Sequence, residues 1–166
     1  MHKSLTTLAL AAGIAAFSAP AAAQSAPTSL RLLVEDTTAT SQRCGVTSQQ
    51  LMQELRTNIR AQGIREASSD DFAAPILYAR TNVDENQDLC FGSIEVRIQA
   101  YDYMPILTTP NQLFGSMVYC NSAEVFSEPR RISNFTEIVR DHVRLCLDDV
   151  RSRAETQSGG PVRSDK

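Results

Sequence analysis

Alternation between apolar and polar residues predicts four β-strands in this chain. The predicted strands cover residues 30–36, 75–83, 90–103 and 113 to about 126. The third strand has the clearest pattern, because Ile94, Val96 and Ile98 alternate with polar neighbours. In the fourth strand the apolar phase changes near Asn121 and Ser122, which predicts a β-bulge there.

Helical periodicity predicts two helices. The first begins at Thr47, which forms a Thr-x-x-Gln capping box with Gln50. Its apolar stripe consists of Leu51, Met52, Leu55 and Ile59. The second helix is capped by Ser133 or Asn134. Its predicted buried side consists of Phe135, Ile138, Val139, Val143, Cys146 and Val150.

The order of elements is therefore β-α-β-β-β-α. The first helix is long enough to connect two parallel strands by a right-handed crossover. The later strands are joined by short connections, which makes them antiparallel. We therefore predict an α+β fold, a two-layer sandwich in which a four-stranded mixed sheet carries both helices on one face.

The N-terminal residues are typical of a secretory signal peptide. His2 and Lys3 precede an apolar run over residues 5–17, and Pro20 ends that run. Small residues then lead to a cleavage site expected before Gln24. The expected organisation is a signal peptide at 1–23, a flexible leader at 24–28, one disulfide-stapled domain at 29–152 and a disordered tail at 153–166.

Composition and charge narrow the class of protein. A formal net charge of −3 lacks the basic footprint of a nucleic-acid-binding protein. After Phe17 no apolar stretch reaches the roughly 20 residues needed to span a bilayer. The signal peptide contains no cysteine that could carry a lipid anchor, and the cations are nearly all arginine, which is typical of a GC-rich bacterial genome. We therefore expect a periplasmic or secreted protein without a transmembrane segment or lipid anchor.

An even number of cysteines in an exported chain predicts disulfides. In the predicted fold, Cys44 and Cys90 lie at the same end of the sheet, at the start of a helix and of a strand. Cys120 lies in the middle of the fourth strand and Cys146 in the middle of the last helix, so that these two face each other across the core. The predicted pairs are Cys44–Cys90 and Cys120–Cys146.

Few residues in the chain suit catalysis. His142 is the one histidine after the signal peptide, and we expect it at the edge of an apolar helix face, donating a hydrogen bond rather than acting as a general base. Cys146, one turn away, is expected in a disulfide rather than as a nucleophile. The acidic doublets at 70–71 and 148–149 do not direct their carboxylates at each other. We expect no catalytic residue and no cofactor, so the chain is interpreted as non-enzymatic.

One segment partly matches a calcium-binding loop. Asp84, Asn86 and Asp88 are followed by Glu95 at the twelfth position of the pattern. The sixth position holds Leu89, where such a loop requires glycine. We therefore interpret the segment as a solvated hairpin tip, with a weak calcium site as the minority hypothesis.

Strand alternation places a set of tyrosines, arginines and one methionine on the face of the sheet away from the helices. The set consists of Tyr78, Arg80, Arg97, Tyr101, Tyr103, Met117 and Tyr119. These residue types are enriched where proteins meet partners. They are also ordinary residues of an exposed antiparallel sheet, so the pattern leaves both interpretations open.

The sequence favours an exported non-enzymatic binding module of the bacterial cell envelope. Its expected partner is an envelope protein or glycan held by the open sheet face. One alternative is an accessory structural subunit of an envelope assembly that uses sheet-edge pairing. Another is a small hydrolase that relies on carboxylates alone.

Overall fold

The structure is a computed structural model, and it describes residues 26–105 and 112–157. The predicted signal peptide at 1–23 lies outside the described residues. The same holds for the first part of the predicted leader and for residues 158–166 of the predicted tail.

The sheet has five strands in the order β2-β1-β3-β4-β5, so the expected number of four is wrong. The strands are β1 (Ser29–Val34), β2 (Arg65–Glu66), β3 (Ile76–Asn86), β4 (Leu89–Pro105) and β5 (Gln112–Pro129). The additional strand β2 has two exposed charged residues and therefore no apolar alternation that could reveal it. The sheet is mixed, because β1 pairs in parallel with β2 and β3 while β3, β4 and β5 are antiparallel.

Three helices accompany the strands in the described part of the chain. They are α1 (Ala39–Arg43), α2 (Ser48–Ala61) and α3 (Phe135–Gln157). The predicted capping box of α2 is confirmed, with the Thr47 side chain accepting from the Gln50 N–H and the Gln50 side chain accepting from the Thr47 N–H. The short helix α1 was not predicted, because its residues are mostly polar. Residues 153–157, which the sequence assigned to the tail, belong to α3.

A single hydrophobic core joins strands and helices. Helix α2 contacts β1 and α3, and α3 contacts β4 and β5. The largest fully buried side chains from the helices and strands are Leu30, Leu51, Leu55, Ile59, Leu77, Ile94, Val96, Ile98, Phe135, Val139 and Val143. The placement of both helices on one face of the sheet stays a prediction. No helix in the described ranges is long and apolar enough to cross a membrane.

Two disulfides brace this core. Cys44, directly after α1, is bonded to Cys90 in β4, and Cys120 in β5 is bonded to Cys146 in α3. These are the pairs expected from the sequence. In the chain-entropy model each stabilises the fold by about 3–4 kcal/mol. Such bonds persist in oxidising compartments outside the cytoplasm.

The bulge in β5 lies before the expected position. Cys120 pairs with Ile98 while Val118 pairs with Gln99, so Tyr119 is the additional residue. The bulge predicted near Asn121 and Ser122 is therefore wrong by a few residues. This shift decides which side chains of β5 face outward.

Candidate binding surface

Sheet register defines the surface on which the predicted residues lie. On β3 and β4 alternate residues such as Leu77, Ile94 and Ile98 belong to the buried core, and Cys120 does so on β5. The residues that alternate with them point to the opposite side of the sheet. We call the surface made by these alternating residues the outer face.

The middle of the outer face carries a layer of paired charges. Arg80 Nε lies 2.6 Å from Glu95 Oε2, and Arg97 lies 3.6 Å from the other oxygen of the same carboxylate. The guanidinium of Arg97 stacks over the Tyr78 ring, 4.3 Å from its centroid. Cation–π stacking and ion pairing together hold these side chains in place. Arg80 and Arg97 are therefore engaged with sheet neighbours on this face.

Tyr78 differs from the expectation, because it is only 5% exposed. Its hydroxyl donates a hydrogen bond to Glu35, and Arg97 covers its ring. Burial raises the pKa of Tyr78, and the hydrogen bond to Glu35 and its negative charge raise that pKa further. The Tyr78 ring is therefore covered by Arg97 and is not accessible to a ligand on the outer face.

The aromatic residues of the outer face gather on a projecting hairpin. Strand β3 pairs with β4 no further than Gln99, so residues 100–105 and 112–117 continue as a two-stranded extension. We call this extension the hairpin arm. On it the ring of Phe114 lies 6.1 Å from that of Tyr101 and 5.2 Å from that of Tyr103. The three side chains are 57%, 47% and 63% exposed, respectively.

The bulge at Tyr119 changes two of the predicted positions. Tyr119 packs against the core, so its predicted outward orientation is wrong. Met117 pairs with Ala100, which places it on the opposite side of the arm from Tyr101. Val118 and Phe114 take the outward positions instead, and Val118 is 47% exposed. Strict alternation through Cys120 does not include the additional residue, so it assigns Phe114 to the core side of the strand.

At the other end of the outer face lies a shallow groove that the sequence did not predict. It has a volume of about 690 Å³. Its lining residues are Thr38, Thr40, Asn82, Val83, Asp84, Phe91, Gly92, Ser93, Val125, Phe126 and Ser127. Asn82 and Ser93 alternate with the core residues Val83 and Ile94, whereas Asp84 was predicted in the hairpin tip and lies in β3. The wall formed by α1 gave no sequence signal, because that helix is short and polar.

His142 bonds with both ring nitrogens. Its Nδ1 lies 2.6 Å from Ser122 Oγ and its Nε2 lies 2.9 Å from Glu124 Oε2. The residue is 7% exposed, and Cys146 one turn further along α3 is in a disulfide. With a neutral ring, Ser122 donates to one nitrogen and the other donates to Glu124. The expected single hydrogen bond is therefore a bridge between α3 and two residues of β5.

The partial calcium pattern is spread along the sheet. Asp84 and Asn86 belong to β3, and Gln87 and Asp88 form the two-residue turn to β4 with positive φ angles of 48° and 68°. Glu95 lies four ladder pairs away from the Asp84 pair, where it binds Arg80. The described residues contain no group of three or more potential metal ligands of the His, Cys, Asp and Glu types.

Comparison with known proteins gives no family assignment. No protein-family model matches this chain, and no curated protein matches it either. The function therefore has to be inferred from the chemistry of the surface, above all from the hairpin arm and the groove.

Proposed function

We propose that this protein is a non-enzymatic binding module of the bacterial cell envelope, exported to the periplasm or secreted, that contacts a protein or glycan through the outer face. The observation that carries this proposal is the cluster of Tyr101, Tyr103 and Phe114 on the hairpin arm. Three neighbouring aromatic rings are each about half exposed or more there. Burying such rings against a partner releases apolar surface from water, which is the main favourable term in association.

Helix packing supports the availability of this surface. Helices α2 and α3 contact each other, and they share one core with the inward residues of the sheet. We infer that both helices lie on the core face, so that the outer face stays open to a partner.

The charged layer supports binding in a second way. Arg80, Glu95, Arg97 and Tyr78 already hold one another through ion pairs and stacking. A surface whose side chains are ordered before binding loses less conformational entropy when a ligand arrives. The layer therefore serves as a rigid platform between the hairpin arm and the groove.

The test compares three forms of the oxidised protein as bait in envelope extracts. The first is unchanged, the second carries Tyr101→Ala, Tyr103→Ala and Phe114→Ala, and the third carries Leu145→Ala. Leu145 on α3 is a matched control, because it is 57% exposed, as is Phe114. We expect one partner to be captured by the unchanged and Leu145→Ala forms and lost with the triple variant. A partner retained by the triple variant, or no partner at all, would contradict the proposal.

A second candidate function, an accessory subunit of an envelope assembly, is favoured by the edge strand β5, whose outer side pairs with no other strand in residues 26–105 and 112–157. This strand is 18 residues long and ends the strand order of the sheet. Its Val125 is 80% exposed. An edge of this kind can accept a strand from another chain, and a lysine there disfavours such pairing. Because Val125 also lines the groove, Val125→Ala is the control: it shortens the side chain without adding a charge to the edge. If Val125→Lys abolished co-purification with an assembly while Val125→Ala and the triple arm variant did not, this function would replace the first.

A further inference from the structure

We propose that the groove is a binding site for a neutral saccharide. This inference rests on the proposed function and deepens it, because it assigns a ligand class to one end of the outer face. The groove and the hairpin arm lie at opposite ends of the sheet, so each can be altered while the other is left intact.

Sheet register arranges the floor of the groove in two parallel rows. Asn82 pairs with Ser93, which pairs with Val125, and Asp84 pairs with Phe91, which pairs with Ser127. Neighbouring strands lie about 4.8 Å apart and every second residue about 7 Å apart, so the rows span about 10 Å by 7 Å. This footprint suits a mono- or disaccharide.

The polar groups of the floor are available to a ligand. Within the described residues, the side chains of Asn82, Ser93 and Ser127 form no hydrogen bond to the protein. Asp84 accepts one hydrogen bond, at 2.8 Å from the Glu85 N–H, and keeps its second carboxylate oxygen. Amide, hydroxyl and carboxylate groups together can both donate to and accept from sugar hydroxyls.

Apolar surface lies beside these polar groups. Phe91 is 39% exposed and Val125 is 80% exposed, in adjacent rows of the floor. An aromatic ring has a negative face, which attracts the slightly positive C–H groups of a sugar ring. A small number of well-positioned polar groups around an apolar contact is typical of sites that bind small ligands.

The charge of the lining decides between ligand classes. Asp84 is the single charged residue among those that line the groove. Arg43, which donates to Thr40 in the wall, is paired with Glu85, and Arg80 in the next row of the outer face is paired with Glu95. The charge of Asp84 is therefore not neutralised by these arginines, and an acidic sugar or a phosphate would be repelled. The lining therefore favours uncharged, hydroxyl-rich ligands that donate hydrogen bonds.

Backbone packing fixes the position of the rows. Gly92 lies between Phe91 and Ser93, and a Cβ built there would lie 2.3 Å from the Asn82 carbonyl oxygen. The disulfide from Cys44 to Cys90 ties the α1 segment, which carries Thr38 and Thr40, to β4. The groove is thus formed before any ligand arrives.

The test is a titration of the oxidised, isotope-labelled protein with neutral tetrasaccharides of glucose, galactose and N-acetylglucosamine, followed by amide chemical shifts. Tetragalacturonic acid serves as the acidic comparison. We expect at least one neutral sugar to shift the amides of Ser93 and Val125, and the acidic sugar to bind more weakly. We expect Phe91→Ala to weaken binding about tenfold, because the ring contact is lost. Asp84→Asn removes the charge, and we expect it to reduce the preference for neutral over acidic sugars.

Phe72→Ala is the matched control, because this phenylalanine is 77% exposed and lies outside the groove. Equal weakening by Phe72→Ala and Phe91→Ala would overturn the inference. So would the absence of shifts with every neutral sugar. If sugars fail but a partner is still captured through the hairpin arm, the saccharide site is wrong and the proposed function stands. If arm capture also fails, both are wrong.

Discussion

His142 Nδ1 lies 2.6 Å from Ser122 Oγ. This hydrogen-bonded pair is the middle one of three contacts that connect α3 to β5. On one side of it, Cys120 is bonded to Cys146. On the other side, the rings of Phe126 and Phe135 meet edge to face, with 6.3 Å between their centroids. Helix and strand thus run alongside each other and are joined by a covalent, a polar and an aromatic contact in turn. This connection fixes β5, and β5 carries half of the hairpin arm.

The hydrogen bonds of His142 are expected to contribute to stability. His142→Ala removes hydrogen bonds to Ser122 and Glu124 and leaves a cavity beside a half-buried hydroxyl. We expect the free energy of unfolding to fall by about 2 kcal/mol. Urea denaturation at neutral pH measures this change. Arg140→Ala, at an exposed position of the same helix, is the control and should change stability by less than about 0.5 kcal/mol. Equal effects of the two substitutions would show that the His142 hydrogen bonds do not contribute to the free energy of unfolding.

Gly92 is expected to tolerate no side chain. A Cβ there would lie 2.3 Å from the Asn82 oxygen and 2.9 Å from Val83 Cα, both backbone atoms that cannot move aside easily. We expect Gly92→Ala to lower the free energy of unfolding by about 1–3 kcal/mol.

Gly63→Ala is the control that distinguishes the steric crowding expected at Gly92 from backbone strain. Gly63 has a φ of 72° with open space around its Cα, so alanine there meets strain alone, of about 1–2 kcal/mol. Thermal melting of both variants supplies the comparison, and the amides of Asn82 and Ser93 report on the groove. If Gly92→Ala left those amides unshifted, the close approach of the two strands would be refuted.

Much of the sheet was predictable because its alternation is regular. Val96 and Ala79 lie on the core face as expected, and the capping box at Thr47 and the disulfide pairs are those read from the sequence. These features depend on local spacing and on elements that are adjacent in the fold. Spacing of this kind can be recognised in the sequence before the tertiary structure is known.

The residues of the candidate surface were harder to predict, because one additional residue in a strand or one covering side chain changes which side chains are exposed. One additional residue at Tyr119 moves Met117 off the outer face and brings Phe114 and Val118 onto it. Tyr78 lies on the expected side of the sheet, yet Arg97 covers it, and alternation cannot show burial by a neighbouring side chain. The groove needs a wall from α1, whose polar residues show no periodicity.

Stability at alkaline pH is expected to depend on Tyr78. Burial, and then the hydrogen bond to Glu35, raises its pKa above the ordinary value of 10.0. Below pH 10 the phenol is protonated in both the folded and unfolded states, so its contribution to stability is fully present. Above that pH the unfolded chain loses its proton first, and the free energy of unfolding falls until the folded-state pKa is reached.

Chemical denaturation between pH 8 and about 11 measures this decline. Tyr78→Phe has no proton to lose, so its stability should decline less steeply over the same range. Tyr103→Phe, at a side chain that is 63% exposed, is the control and should follow the unchanged protein. Parallel curves for Tyr78→Phe and the unchanged protein would argue against a buried phenol that resists ionisation.

The most direct test of the binding surface places a photo-crosslinking phenylalanine derivative at position 103 and, in a second strain, at position 145. Both sites are more than half exposed, but only position 103 lies on the hairpin arm. Irradiation of intact cells that produce the protein should give one dominant crosslinked species at position 103 and none at position 145. That result would place a partner on the outer face in its native setting. An absent adduct at position 103, or the same adduct at both positions, would contradict the account.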